Sequence, residues 1–106
     1  MSKPVRTEQE ALSELTDAYR RYQGKRSGLG DEFVAAIDVA LDQITRLPKA
    51  GAPVPRVPRD LGVRRAPVPK FPYHVVYIET PAEIRVLAFA HDRRRPGYWL
   101  SRTRPR

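Results

Sequence analysis

The stretch Pro72-Tyr73-His74-Val75-Val76-Tyr77-Ile78, followed by Ile84-Arg85-Val86-Leu87-Ala88-Phe89-Ala90-His91, decides the fold. Both runs are rich in Val, Ile, Tyr and Phe, residues that suit a packed, pleated surface. Only Glu79-Thr80-Pro81-Ala82-Glu83 separates them, so they read as an antiparallel hairpin. Strict alternation puts Tyr73, Val75 and Tyr77 on one face and His74, Val76 and Ile78 on the other. In the second run it groups Ile84, Val86, Ala88 and Ala90 against Arg85, Leu87, Phe89 and His91. Both faces are apolar in the middle, the pattern of strands at the centre of a sheet. The small Ala88 and Ala90 suit a face covered closely by helices. That leaves the Arg85-to-His91 face as the open, functional side.

The flanking segments supply the cover. Val5-Arg6 reads as a very short first strand. Thr7 stands where a helix N-cap belongs, with Glu10 at capping-box spacing. Ala11, Leu12, Leu15, Ala18, Tyr19 and Tyr22 keep the rhythm of one helix face. Glu8, Glu14 and Asp17 come early and Arg20, Arg21, Lys25 and Arg26 late, an order that suits the helix dipole. A first helix is therefore predicted from Glu8 to Gly24 or Arg26. Ser27-Gly28-Leu29-Gly30 breaks it, and Asp31-Glu32 opens a second. Its stripe is Leu29, Phe33, Ile37, Leu41, Ile44 and Leu47, with Ala40 beside it and Pro48 as the stop.

Residues 48–60 hold four prolines and a glycine, which reads as a surface connection without helix or strand ladder. Leu61 to Pro69 reads as a first long strand, kept to an edge or interrupted by its prolines. After His91 the chain turns at Pro96-Gly97 and presents Tyr98 beside Trp99, the only tryptophan, among arginines. The expected fold class is α+β in the order (β)ααβββ, a helical hairpin on one face of a sheet of three or four antiparallel strands. One domain would span 1–106, divided into the hairpin (7–47), the connection (48–60), the sheet (61–91) and a basic, aromatic tail (92–106).

Charge and composition narrow the function. The net charge is +8 and there is no cysteine, which removes disulfides, thiol nucleophiles and cysteine metal sites. Residues 1–48 carry 7 basic and 8 acidic side chains, and residues 49–106 carry 13 and 4. The sheet and tail thus hold the whole surplus, a field that attracts nucleic acid, an anionic surface or an acidic protein. No apolar run reaches the roughly 20 residues of a membrane span. The first residues lack the apolar core of a signal peptide. A cytoplasmic protein without membrane contact is expected. Two histidines far apart, with no carboxylate cluster, give no metal-ligand spacing. Gly28-Leu29-Gly30 lacks the strand and Lys-Ser/Thr of a phosphate loop. No cofactor is expected.

Four motifs in order carry a resemblance. They are Gly28-Leu29-Gly30-Asp31-Glu32-Phe33, Val63-Arg64-Arg65, Phe71-Pro72-Tyr73-His74-Val75-Val76-Tyr77, and Ala90-His91-x-Arg93-Arg94-x-Pro96-Gly97-Tyr98-Trp99. Together they make the chain similar to the RelE/ParE toxin superfamily, and most similar to ParE-type plasmid stabilisation toxins. The resemblance implies a toxin–antitoxin pair, with an antitoxin whose C-terminal segment wraps the toxin in a hetero-oligomer. It implies DNA gyrase as target, trapped without chemistry by a contact surface for which Arg64, Arg65, Arg85, His91, Arg93, Arg94, Tyr98 and Trp99 are the candidates.

The RelE branch implies instead cleavage of mRNA on the ribosome. That needs a base for the 2′-hydroxyl, cations around the phosphate and an acid for the leaving oxygen. Arg65, His74, His91, Arg94 and Tyr98 are the residues to supply them. Such nucleases carry arginine where this chain has His74, and lysines where it has Ala66-Pro67-Val68-Pro69. An inactive, toxin-derived basic binding module is the third reading. His74 and His91 also have plainer roles open to them, as packed or strand-closing side chains, and Trp99 as the anchor of the tail.

Overall fold

The computed structural model describes residues 3–104; Met1, Ser2 and the Pro105-Arg106 end of the tail lie outside the described residues. The elements are β1 (Val5–Thr7), α1 (Gln9–Lys25), α2 (Leu29–Arg46), β2 (Ala52–Pro53), β3 (Val63–Pro67), β4 (Tyr73–Glu79) and β5 (Ile84–His91), with short 3₁₀ turns at Pro48–Ala50, Arg59–Leu61 and Leu100–Thr103. The sheet has five strands in the order β1-β5-β4-β3-β2. The expected helical hairpin on an α+β sheet is therefore present, but the sheet is mixed. β1 runs parallel to β5, and the other pairs are antiparallel.

Several local expectations change. Thr7 belongs to β1, and Glu8 is the N-cap of α1, with no side-chain capping bond. Its carboxylate is used elsewhere, as described below. α2 begins at Leu29, directly after Gly28 at φ 92°, a left-handed backbone that favours glycine. The helices lie so close at Gly30 that an added Cβ would stand 2.7 Å from the Tyr19 carbonyl oxygen. Leu47, placed in the apolar stripe, falls just past α2 and is exposed. The Pro-rich connection does contribute a ladder, since Ala52–Pro53 pairs with Arg64 and Arg65 of β3. Proline is tolerated there because β2 is an outer strand, and β3, expected at an edge, lies between β2 and β4 and stops at Pro67.

The largest correction is in β5. Tyr77 pairs with Val86 but Val76 pairs with Ala88, so Leu87 is an extra residue in a β-bulge. Beyond it the alternation inverts. Ile84, Val86 and Phe89 face the helices, in one core with Phe33, Ile37, Ile44, Val75 and Tyr77. Leu87, Ala88 and Ala90 join a second core on the other face, with Val54, Val63, Val76 and Trp99. The two alanines make room for the tryptophan, not for helices. The face expected to be open is thus covered by the tail and by the loop around Val54.

Candidate functional site

The parallel pairing of β1 reaches only to Val86, which leaves the rest of β5 without a strand neighbour on that side among the described residues. Side chains close this edge instead. Glu14 of α1 accepts the Phe89 N–H at 3.2 Å, and Arg102 donates to the Leu87 carbonyl at 3.0 Å. Glu14 also accepts from Arg102 at 3.0 Å and from the Tyr98 hydroxyl at 2.6 Å. Arg94 stacks on the Tyr98 ring, 3.6 Å from its centroid. Burial, followed by the hydrogen bond and the negative charge of Glu14, pushes the Tyr98 hydroxyl well above the ordinary tyrosine range. It stays protonated and aimed at Glu14, which makes it a poor acid for a leaving oxygen.

The end of the sheet that holds the start of β4 and the end of β5 has two clefts. One, of about 400 Å³, is lined by Glu14, Arg21, Tyr73, His91 and Arg94 among others. Arg21 donates to the Tyr73 hydroxyl, and Tyr73 continues a chain of ring contacts through Tyr22, Phe33 and Phe71. The His91 ring lies edge-on to Tyr73, at 5.2 Å between centroids. Its Nδ1 accepts the Arg93 N–H at 3.1 Å, and its carbonyl accepts the Arg94 N–H at 2.9 Å. His91 thereby closes the strand into the turn that presents Arg93, Arg94 and Arg95.

The second cleft, also about 400 Å³, is lined by Ala52, Arg65, Pro67, His74 and Asp92. His74 Nδ1 lies 2.9 Å from an Asp92 carboxylate oxygen. Tyr73 pairs with His91 and His74 with Ala90, so the pleat sends the two histidines to opposite faces of the sheet. The residues named for RNA cleavage are therefore divided. Arg65 and His74 share one cleft, His91 and Arg94 the other, and Tyr98 is bound to Glu14.

Two residues named for a contact surface are inside the protein. Arg85 is 6% exposed and holds Glu8, itself 5% exposed, with Nη2 at 2.6 Å and Nε at 3.1 Å from one carboxylate oxygen. It also donates to the carbonyls of Arg102 at 2.8 Å and Arg104 at 3.1 Å. Trp99 is 1% exposed in the second core. Both fasten the tail to the sheet. Arg64 is turned inward as well, donating to the Gly51 carbonyl at 2.8 Å. Of the named set, Arg93 and Arg94 are the exposed side chains. Glu8, Glu14, Asp92 and Arg102 carry no motif that singles them out. The one signal was Glu14 itself, an acid between Ala11 and Ala18 on the buried stripe of α1.

A helical hairpin over a mixed sheet, with a basic C-terminal strap on the far face, makes a small α+β protein. A family model described as "ParE toxin of type II toxin-antitoxin system, parDE" matches residues 5–96. The chain belongs to this ParE toxin family. Among solved structures it is similar to one described as "Chromosomal ParDE TA system from P. aeruginosa", at 20% identity and a TM-score of 0.61, over 85% of this chain and 96% of that one. No curated protein matches the sequence. Among the described residues, no helix is long and apolar enough to cross a membrane.

Proposed function

We propose that the chain is the toxin of a type II pair, that it acts by binding DNA gyrase rather than by cutting RNA, and that a cognate antitoxin neutralises it. The observation that carries the choice between the two activities is the division of Arg65 and His74 from His91 and Arg94 across the sheet. An RNA-cleaving site needs base, acid and cations around one phosphate. A binding toxin needs only an exposed surface, which the turn at Arg93-Arg94-Arg95 offers. For the antitoxin, support comes from the basic surplus of residues 49–106 and from the short sheet edge at Ala52–Pro53.

The test is supercoiling of relaxed plasmid by purified gyrase. Added toxin is expected to inhibit it, and co-purified product of the neighbouring reading frame to restore it. Full gyrase activity at a large toxin excess overturns the reading. A second reading, cleavage of mRNA on the ribosome, has the Arg65–His74–Asp92 cleft in its favour. Translating ribosomes would then show cuts at defined codons that disappear in His74→Ala; no cutting is expected.

A further inference from the structure

We infer that the end of the molecule formed by the last turns of α1, the β3–β4 turn and the turn after β5 is a docking surface for the phosphate backbone of duplex DNA. This deepens the gyrase reading and rests on it for its biological sense, because gyrase holds DNA.

Three segments converge at this end. The Asp92 N–H donates to the Pro72 carbonyl at 2.8 Å, tying the turn after β5 to the turn before β4. The Tyr22 ring lies 5.0 Å from that of Phe71, and Arg21 reaches the Tyr73 hydroxyl, which brings in α1. The convergence gathers Arg21, Lys25, Lys70, Arg93, Arg94 and Arg95, all of them exposed. Among the described residues Lys70, Arg93 and Arg95 have no acidic side chain within ion-pair distance, and neither do Arg21 and Lys25. Arg94 meets Glu14 only at 3.7 Å. The acids nearby are Glu14, Asp17 and Asp92, and Glu14 and Asp92 are bound to Tyr98, Arg102 and His74. Six cations around so few free carboxylates form a focused positive field.

The occupant follows from what the surface lacks. Proteins that hold single strands stack bases on exposed aromatic rings. Here every aromatic side chain among the described residues is buried or half-buried. Tyr22, Phe71, Tyr73 and His91 pack on one another, and Tyr98 lies under Arg94. A cluster of cations without free rings reads phosphates, not bases, and suits a duplex of any sequence.

The test is fluorescence anisotropy of a short labelled duplex, titrated with the full chain across a range of salt. Six phosphate contacts give a slope of log affinity against log salt of about −5, and a loss of about 10³-fold between roughly 50 and 200 mM. Affinity is expected to be similar for duplexes of different sequence. Replacing Arg93→Ala together with Arg95→Ala is expected to cut the slope by about 2. Among the described residues these side chains hold no partner, so a thermal melt will confirm the fold. No salt-dependent binding, a slope unchanged in the double variant, or tighter binding to single-stranded RNA of equal length overturns the inference. Gyrase is absent from this assay, so its failure leaves inhibition of supercoiling to stand or fall separately.

Discussion

The two ends of the sheet treat charge in opposite ways. At the end that holds β1 and the β4–β5 turn, the charged side chains form internal pairs. Lys3 and Lys49 hold Glu79 at 2.9 and 3.2 Å, Arg6 holds Glu83 at 2.7 Å, and Arg85 holds Glu8 at 2.6 Å. At the other end Lys70, Arg93 and Arg95 stand in solvent without an acidic partner among the described residues. The net charge of the chain is thus not spread as a solvated coat. One end uses arginine as a structural clamp, and the other displays it.

The clamp gives the largest expected effects. Arg85→Ala leaves the Glu8 carboxylate buried without its main partner and strips hydrogen-bond donors from the carbonyls of residues 102–104. A loss of about 3–5 kcal/mol in urea unfolding is expected. The only tryptophan, Trp99, should shift its emission to the red as the tail lifts. If Arg85→Met with Glu8→Leu instead keeps near-normal stability, the pair serves placement of the tail more than net stability. Glu14→Ala comes next, at about 2 kcal/mol, because Arg102, the Tyr98 hydroxyl and the Phe89 N–H all lose an acceptor. Faster trypsin cleavage in the tail would report the same release. An unchanged unfolding midpoint in Arg85→Ala would erase the difference between the two ends.

That difference was only partly legible in the sequence. Local propensity and periodicity suffice for α1, α2 and the β4–β5 hairpin, because each is set by its own residues. The bulge at Leu87 is not local. Nothing in Val86-Leu87-Ala88 marks an extra residue, and one such residue inverts every later side chain. That is why Phe89 and His91, expected on an open face, pack toward Tyr73 and the helices. Arg85 misleads for a related reason. An arginine in a basic chain reads as surface, and only the tertiary fold brings Glu8, 77 residues away, against it. Arg93 and Arg94 were legible because charged side chains in a turn that follows a strand stay in solvent unless a buried partner is supplied for them.

Acid should weaken the clamped end first. Hydrogen bonds from Lys3 and Lys49 hold the Glu79 carboxyl below the ordinary 4.5, and Arg6 does the same for Glu83. Both bind protons less tightly folded than unfolded. Their contribution is therefore complete above about pH 4.5 and is lost as pH falls through the depressed values. Lowering the pH across that window should reduce stability, with a shallower slope in Glu79→Gln. Both groups are near the surface and screened, so the effect is small beside that of Arg85→Ala. An identical slope in wild type and Glu79→Gln would place the acid sensitivity elsewhere.

The smallest change in stability belongs to the displayed end. Arg93 and Arg95 are exposed, and their side chains hold no hydrogen bond or ion pair among the described residues. Replacing both with alanine removes two charges, as many as the Glu8–Arg85 pair contains. Yet the expected change in unfolding free energy is within about 0.5 kcal/mol, the range of ordinary surface substitutions. Its sign should favour the variant, because six neighbouring cations repel one another in the wild type. That gain should shrink as salt is raised, since exposed charges are screened over about 10 Å at 0.1 M. A loss above about 1 kcal/mol would mean that these arginines also clamp the fold. A stable variant that no longer arrests growth would instead separate display from structure at this end.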